Sequence, residues 1–229
     1  MKLHASTLFA IGADGRLRYV QEPGDPYAPP RFFMGRTPRG NVWYFRDDLP
    51  DELIAKLERL CRSEPVTADF VQPPDLSSPI RAVLQAHAPI TQEERGPAYR
   101  IPAGVSAPSN AVRITKWSGH LLKDAFPWLW RRIQDGVEVG PVVSVAEQGT
   151  AVSTCYCARL SPSAAEAGVV TLEPMRRKGF ATAAVAGWTA ACVERGLHPL
   201  YSTSWQNPGS IRVAQKLGMV CYGEDWSIQ

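Results

Sequence analysis

The sequence lacks the features that mark a membrane protein. No apolar stretch is long enough to span a bilayer, because Arg, Lys, Glu or Pro interrupts each of the longest candidates. The N-terminal segment MKLHASTLFAIGADGRLRYV contains a short apolar run, but this run enters a turn without a small-residue cleavage site. We therefore expect no membrane span and no signal peptide, and we expect a cytoplasmic protein.

The chain also has little net charge and few metal-ligating residues. Its 25 basic and 22 acidic side chains leave a formal charge of +3, which is too small to predict a nucleic-acid surface. The 4 histidines are isolated, and the 5 cysteines are scattered apart from the pair Cys155-Tyr-Cys157. Because this pattern has no metal-ligand spacing, we expect no metal site and reduced, buried thiols.

The first half of the chain is rich in turns. Alternating segments predict hairpins over residues 7–20 and 31–46, and a helix follows Pro50-Asp51 and ends at Pro65. Prolines recur from there to residue 108, and they predict a linker at the end of this stretch, after a short helix near 78–87. We place a domain boundary near residue 105.

The second half is more regular and predicts a mixed sheet flanked by helices. The expected order is β-α-β-β-β-α-β-α-β, with a break at Pro127 in the first helix. The strands are predicted at 111–115, 141–147, 150–159, 168–172, 200–204 and 219–226, and the helices at 121–133, 179–195 and 210–217. The fold class is therefore α/β (α+β), with residues 106–229 as one domain and residues 1–105 as a hairpin-and-helix extension or small domain of unknown role.

Three consecutive cations, Arg176, Arg177 and Lys178, stand before Gly179, where a strand gives way to a helix. The first turn of a helix has unpaired N–H groups and a dipole that favours an anion, and glycine lets a ligand approach the backbone. This arrangement suits a diphosphate, although neither a P-loop nor a dinucleotide fingerprint is present. A solvated loop is the simpler interpretation of the cations alone.

Two signatures favour the diphosphate. The segment from Arg176 to Ala181 fits the pattern [QR]-x-x-G-x-[GA] and follows a V-x-L-x-P strand at 170–174. Farther on, the segment from Asn207 to Met219 has an Asn, a small residue three positions later, and a helix ending in K-L-G-M. With this spacing, residues 110–229 resemble the GCN5-related N-acetyltransferase (GNAT) family.

The resemblance implies an acetyl-coenzyme A site between the strands predicted at 168–172 and 200–204, which splay apart in the family. Backbone groups of Val170 and Leu172 would pair with the pantetheine arm, and N–H groups from Arg177 to Thr182 would hold the pyrophosphate. Asn207 would bond the pantetheine, although it also suits a helix N-terminus before Pro208. The implied cofactor contacts are Val170, Thr171, Leu172, Arg177, Lys178, Gly179, Phe180, Ala181, Thr182, Asn207 and Ser210.

The resemblance also assigns catalytic roles. A backbone N–H on the splayed strand, at Val170 or its neighbour, would polarise the thioester. Glu166 is placed to be the general base, because burial beside an apolar strand would raise its pKa towards the useful range. A plain loop glutamate is an equal alternative, and Glu173 is a weaker rival base.

The proton donor for the leaving thiolate is not assigned. Many family members carry a tyrosine on the last helix, but alignment on the K-L-G segment puts Ala214 at that position. Tyr156, Tyr201, Tyr222 or water remain as substitutes, and the thiolate could also leave unaided.

The resulting hypothesis is an acetyl-coenzyme A-dependent N-acetyltransferase that acts by direct attack in a ternary complex. Its acceptor would be the primary amine of a small molecule, such as an amino acid or an amino-acid-like metabolite or toxin. A protein lysine or N-terminal acetyltransferase and a catalytically silent acyl-coenzyme A sensor are the alternatives. The expected partners are the amine and, as an open possibility, a second copy of the chain, with no nucleic acid and no membrane.

Overall fold

The computed structural model describes residues 1–229, which form helices on both faces of one sheet. The strands are β1 (Phe9–Ile11), β2 (Arg16–Val20), β3 (Phe32–Thr37), β4 (Gly40–Arg46), β5 (Glu93–Arg100), β6 (Ala111–Arg113), β7 (Val143–Glu147), β8 (Thr150–Leu160), β9 (Ala164–Thr171), β10 (His198–Ser202) and β11 (Val220–Ile228). The helices are α1 (Lys2–Leu8), α2 (Asp51–Ser63), α3 (Ser77–His87), α4 (Pro127–Gln134), α5 (Phe180–Glu194) and α6 (Pro208–Lys216). The order in the sheet is β1-β2-β4-β3-β11-β5-β10-β9-β8-β7-β6.

The helices and strands predicted for the second half are confirmed, in the predicted order. The predicted break at Pro127 is also present, since a 3₁₀ turn at Gly119–Leu122 precedes α4. Helix α5 lies close to the sheet because its side chains are small. A Cβ added at Gly187 would come within 2.8 Å of both Ala111 and Val143.

The first half agrees with its predicted hairpins and helices but contains two elements that were not predicted. The first is α1, a short helix that buries Ala5 and Thr7. The second is β5, which occupies residues 93–100 of the proline-rich stretch; residues 101–110, at the end of the stretch where the linker was expected, form no helix or strand. Strand β5 lies inside the sheet, antiparallel to β10 on one side and to β11 on the other.

The sheet therefore runs through both predicted regions without a break. The predicted boundary near residue 105 falls in the irregular segment between β5 and β6, and β11, from the end of the chain, lies between β3 and β5. Division of the chain into two domains stays a prediction, because a continuous sheet does not by itself mark a boundary.

The two faces of the sheet carry different helices. One face, here called the α5 face, packs against α2, α3, α5 and α6, with Trp226 in one buried cluster and Trp188 in another. The opposite face, here called the α1 face, is covered by α1, α4 and the segment 21–30. None of the helices combines the length and the apolar character needed to cross a membrane.

A candidate active site where the sheet opens

Strands β9 and β10 run parallel but pair only at their first residues. The pairing joins Ala164 to His198 and ends where Glu166 meets Leu200. Just beyond, Glu166 Oε1 accepts hydrogen bonds from the backbone N–H of Ser202 at 2.6 Å and from its hydroxyl at 2.8 Å. The carboxylate thus occupies the place where the next backbone acceptor of β9 would lie. The strands separate beyond it, as the splay predicted from the resemblance requires.

The gap opens on the α5 face into a cleft of about 680 Å³. Leu172 N–H donates to Val152 O of β8, and His198 N–H donates to Ser163 O, so even-numbered residues of β9 face β8 and odd-numbered ones face the gap. The free backbone edge in the gap therefore belongs to Val169 and Thr171. The predicted pairing through Val170 and Leu172 is wrong by one residue, because both already face β8.

A row of unpaired donors forms one end of the cleft. The backbone N–H groups from residue 177 to residue 182 donate to no acceptor in the protein. Arg177 and Gly179 have φ values of 67° and 85°, and this left-handed backbone shapes the turn that leads into α5. A Cβ added at Gly179 would meet no atom within 4 Å, so its open side faces free space. Such a turn at a helix N-terminus is suited to bind an anion.

Most of the predicted cofactor residues line this cleft, including Val170, Thr171, Arg177, Gly179, Phe180, Ala181, Thr182, Asn207 and Ser210. Arg176 also lines it and was not among the predicted contacts. Two predicted residues are elsewhere. The Lys178 side chain is exposed and lies 3.4 Å from the sulfur of Met175. Leu172 packs with the apolar residues at the edge of the core.

Asn207 has two functions available to it. Its Oδ1 accepts a hydrogen bond from Ser210 N–H at 3.1 Å and caps α6, with Pro208 in the first turn. The Asn207 amide nitrogen donates to no protein group and belongs to a residue that lines the cleft. The predicted cap is therefore confirmed, and the side chain retains a donor for a ligand.

Of the three tyrosines considered as proton donors, Tyr201 lies in the cleft. Its hydroxyl is 2.6 Å from the Ser210 hydroxyl, and burial raises its pKa to about 12. The Tyr222 hydroxyl is hydrogen-bonded to His4 on the α1 face, and Tyr156 packs edge-on against Trp128. The Ala214 side chain is buried in the core beneath α5.

A second cavity lies on the α1 face, here called the chamber, with a volume of about 370 Å³. It shares Ala167, Ser202 and Thr203 with the cleft, so the two cavities meet through the gap between β9 and β10. Residues of the first half that line it include Leu8, Phe9, Val20, Tyr27 and Phe33. The sequence alone did not identify these lining residues, because nothing local in residues 1–105 indicates which of them face a site.

Glu166 lines the chamber from within β9. Its side chain is buried, and Oε2 has no hydrogen-bond partner in the protein. Burial raises the pKa of Glu166 above its ordinary range, and the nearby His4 opposes this shift. The alternative of a plain loop glutamate is therefore wrong. The rival Glu173 is exposed and lines neither cavity.

Ion pairs hold the cover of the chamber to the second half of the chain. Glu22 lies 2.9 Å from a guanidinium nitrogen of Arg132 on α4 and 3.3 Å from one of Arg159 on β8. Tyr27 accepts a hydrogen bond from Arg159, and Leu160 N–H donates to Gln21 O at 3.2 Å. The segment 21–30 is thus fixed above the α1 face.

Comparisons with known proteins agree with this architecture. The sequence model of the GNAT acetyltransferase family matches residues 103–224. Among solved structures, a GCN5-related N-acetyltransferase-like protein from Streptococcus suis has a TM-score of 0.50 at 15% identity, over 90% of this chain and 89% of that one. This likeness concerns the fold alone. No curated protein matches the sequence.

Two further solved structures of similar fold have lower TM-scores. A protein assigned to the GNAT family from Novosphingobium aromaticivorans has a TM-score of 0.47 at 17% identity over 61% of this chain, and the match spans 65% of that protein's length. An acetyltransferase of the GNAT family from Colwellia psychrerythraea has a TM-score of 0.48 at 14% identity, over 82% of this chain and 75% of that one.

Proposed function

Because the chain belongs to the GNAT acetyltransferase family and is therefore an N-acetyltransferase, we propose that it acetylates the primary amine of a small molecule. The observation that carries the proposal is that the two cavities share Ala167, Ser202 and Thr203 at the gap, beside the buried Glu166 of the chamber. The cleft on the α5 face suits the acetyl donor, and the chamber on the α1 face suits the amine. The two reactants would approach the same gap from opposite faces of the sheet.

The residues of the cleft fit acetyl-coenzyme A, which the family uses and which supplies the acetyl group as a thioester. The unpaired N–H groups of residues 177–182 would bind its pyrophosphate, with Arg176 and Arg177 adding positive charge. The free edge of β9 at Val169 and Thr171 would hold the amide-bearing arm as an added strand. Such an arm would lie along the gap and end near Glu166.

Glu166 would take the proton that the attacking amine must lose. A buried carboxylate with a raised pKa is a suitable base near neutral pH. Ser202 binds Oε1 with two hydrogen bonds and so leaves Oε2 for the amine.

Direct attack in a ternary complex fits the surroundings of the cysteines better than a covalent intermediate does. Cys155 and Cys157 are buried in the core beneath α5, and burial raises the pKa of Cys155. Neither residue lines the cleft or the chamber, so neither thiol would reach the reactants.

Tyr201 would supply the proton for the leaving thiolate. Its raised pKa keeps the phenol protonated, and it lines the cleft on the strand that bounds the gap. This assignment would give the family's tyrosine role to β10, since the position on α6 is Ala214.

The covered chamber favours a small acceptor over a protein. A volume of about 370 Å³ lies near the small end of the range for ligand pockets, roughly 300–1,000 Å³. An extended peptide would require the cover at 21–30 to move. A buried, unpartnered base also favours an enzyme over a silent sensor of acyl-coenzyme A.

A thiol-release assay tests the proposal. The protein is incubated with acetyl-coenzyme A and either small primary amines or lysine-containing peptides, and free thiol is followed. We expect release with small amines and much less with peptides. Binding of acetyl-coenzyme A without release from any amine would favour the sensor, and preference for peptides would favour the protein acetyltransferase.

A further inference from the structure

Glu166 must carry a negative charge to act as the base, and its surroundings oppose that charge. The residue is 4% exposed, and burial raises its pKa because the charged form loses its contact with water. Asp225, a second carboxylate nearby, raises the pKa of Glu166 further. A carboxylate in such a place stays ionised near neutral pH only when hydrogen bonds or a nearby cation stabilise it.

Helix α1 supplies such a cation in His4, which is 1% exposed. Its Nδ1 lies 2.7 Å from the Tyr222 hydroxyl, and its Nε2 lies 3.2 Å from Asp225 Oδ2, an ion-pair distance although not a well-aligned hydrogen bond. An ionised carboxylate has no proton to donate, so the contact with Asp225 favours a protonated Nε2, and the phenol of Tyr222 can accept from Nδ1. These surroundings suit the imidazolium form, in which both nitrogens are donors.

The packing of α1 fixes this imidazole on the α1 face. The helix packs against β8 and β9, and Thr7 Oγ1, three residues after His4, lies 3.3 Å from the hydroxyl of Ser161 in the turn between those strands. At the start of the helix, the Met1 side chain fills space left by Gly35 of β3, where an added Cβ would overlap it. Both ends of α1 are therefore held, and His4 lies between them.

His4 and Glu166 each shift the pKa of the other in the direction that favours charge. Burial lowers the pKa of His4, but the carboxylates of Glu166 and Asp225 outweigh it and the net shift is upward. Burial raises the pKa of Glu166, and the charge of His4 opposes this rise. The two groups thus stabilise each other in their ionised forms, while Glu166 Oε2, which has no hydrogen-bond partner, stays open to the amine.

The other charged or titratable groups around this pair do not take the place of the histidine. Arg159 of β8 lies opposite Glu166 in the register, but its guanidinium donates to side chains of the segment 21–30. Arg100 of β5 is exposed, and the α-amino group of Met1 acts against the imidazolium. The remaining groups that act on the pair are neutral or acidic: Tyr222 and Asp225 of β11, Tyr201 of β10 and Cys155 of β8.

We infer, on the basis of the proposed function, that His4 is a positioning residue for acetyl transfer: α1 holds its imidazolium close enough to Glu166 for the charge to keep that carboxylate ionised. His4 lines neither the cleft nor the chamber, so it acts through Glu166 and not on the reactants. The proton that the amine loses as its nitrogen bonds to the acetyl carbon passes to Glu166, which must release it before the next turnover. The positive charge of His4 favours that release.

His4→Gln removes the charge and keeps a side chain that can donate a hydrogen bond to Asp225. The acidic limb of kcat/KM against pH, which reports the ionisation of Glu166, should move upward by about one pH unit, the lower end of the shift that a neighbouring opposite charge produces. Below the limb kcat/KM should be about tenfold lower than in the wild type, and on the plateau above it unchanged. A limb that does not move would overturn the inference.

Thr7→Val is the matched control in the same helix. Thr7 is as buried as His4, and the change removes its contact with the Ser161 hydroxyl without altering any charge. The limb should keep its wild-type position. A shift equal to that in His4→Gln would mean that a loosened helix, rather than the lost charge, acts on Glu166, and the inference would fail.

Proton NMR of the histidine rings tests the pair without any amine. The His4 signals are those missing from His4→Gln, and coupling between two titrating groups is reciprocal. In Glu166→Gln the titration midpoint of His4 should therefore move down by about one pH unit, and in the control Glu173→Gln, which changes an exposed residue, it should stay.

The NMR titration separates this inference from the proposed function. If no amine releases thiol, the proposed function fails, and a lowered His4 midpoint in Glu166→Gln would still support the charge pair. If thiol is released but the midpoint of His4 is the same in Glu166→Gln and in the wild type, the protein is an acetyltransferase in which His4 has no such role.

Discussion

The cleft and the chamber meet at one gap but are built in different ways. The cleft is lined by residues between 167 and 216, and its main feature is backbone: a row of N–H groups in one turn and the open edge of one strand. The chamber is lined by side chains from segments between Leu8 and Gln229. A site made from local backbone leaves a motif in the sequence, whereas a site made from distant side chains does not. The sequence therefore allowed the acetyl-donor site to be predicted, but not the acceptor site.

The largest effect expected on the cleft comes from Gly179→Glu. The change forces a side chain into a left-handed backbone and puts negative charge beside the unpaired N–H groups. We expect coenzyme A affinity to fall by more than about a hundredfold, measured by calorimetry, since a like charge faces the pyrophosphate.

Gly196→Glu is the matched control for this variant. Gly196 also has a left-handed backbone, with φ of 73°, and a Cβ there would meet no atom within 4 Å. It follows the other end of α5, so it carries the same strain and charge away from the cleft. If both variants bind coenzyme A equally well, the row of N–H groups is not the pyrophosphate site.

Glu166→Gln tests the proposed base, which lines the chamber beside the gap. The amide oxygen can keep the hydrogen bonds from Ser202, so coenzyme A affinity should not change, while kcat falls about a hundredfold through loss of the base.

The pH dependence of kcat/KM is a second test of Glu166 as the base. Glu166 must be ionised to accept a proton, and burial raises its pKa, so kcat/KM should rise with pH through a limb above the ordinary range of a glutamate. This limb should be absent in Glu166→Gln and present in the control Glu173→Gln, which changes an exposed residue. A limb that persists in Glu166→Gln would assign the base elsewhere.

Tyr201→Phe should have a smaller effect, confined to the chemical step. Loss of the hydroxyl in the cleft should lower kcat about tenfold, less than the roughly hundredfold or more usual for a lost acid catalyst, because water can partly replace it; KM for the amine should not change. Tyr99→Phe is the control, because Tyr99 packs edge-on against Tyr201 without lining the cleft. Equal rates in the two variants would remove Tyr201 as the donor.

The smallest effect belongs to the cover of the chamber. Glu22→Gln weakens the ion pairs with Arg132 and Arg159 and should raise KM for the amine about fivefold, as expected for a partly exposed pair. Coenzyme A affinity should stay the same, because the change lies on the α1 face. Glu138→Gln, which breaks an exposed pair with Arg195, is the control. Loss of coenzyme A affinity in Glu22→Gln would mean that the cleft and the chamber are not independent.

The same contrast explains which parts of the fold could be predicted. Regular elements of the second half follow local rules, such as the left-handed Gly218 after α6 and Pro208 in its first turn. Strand β5 follows none of them, since it contains Pro97 and begins with Glu93 and Glu94. Its charges are stabilised by distant partners, as where Glu93 pairs with Arg81 of α3 at 2.8 Å.

For a related reason, helix α1 and the backbone register of β9 could not be predicted from the sequence. A seven-residue helix is not stable by itself, so α1 depends on burying Ala5 against strands that come later in the chain. The motif located the gap, but which residues of β9 face it depends on the pairing with β8. The hydrogen bond from Leu172 to Val152 fixes that register, and no pattern in the sequence shows it.

The position of β11 has a consequence for the order in which the protein can be completed. When a ribosome has made β5, both strands that will pair with it, His198–Ser202 and Val220–Ile228, are still untranslated. Strand β3 also pairs with β11 along one of its edges, so that edge stays unpaired until β11 has been made. Throughout elongation the nascent N-terminal region exposes unsatisfied strand edges to neighbouring chains. The sheet, and with it the wall of the chamber that carries Asp225, can close only after β11 has left the ribosome.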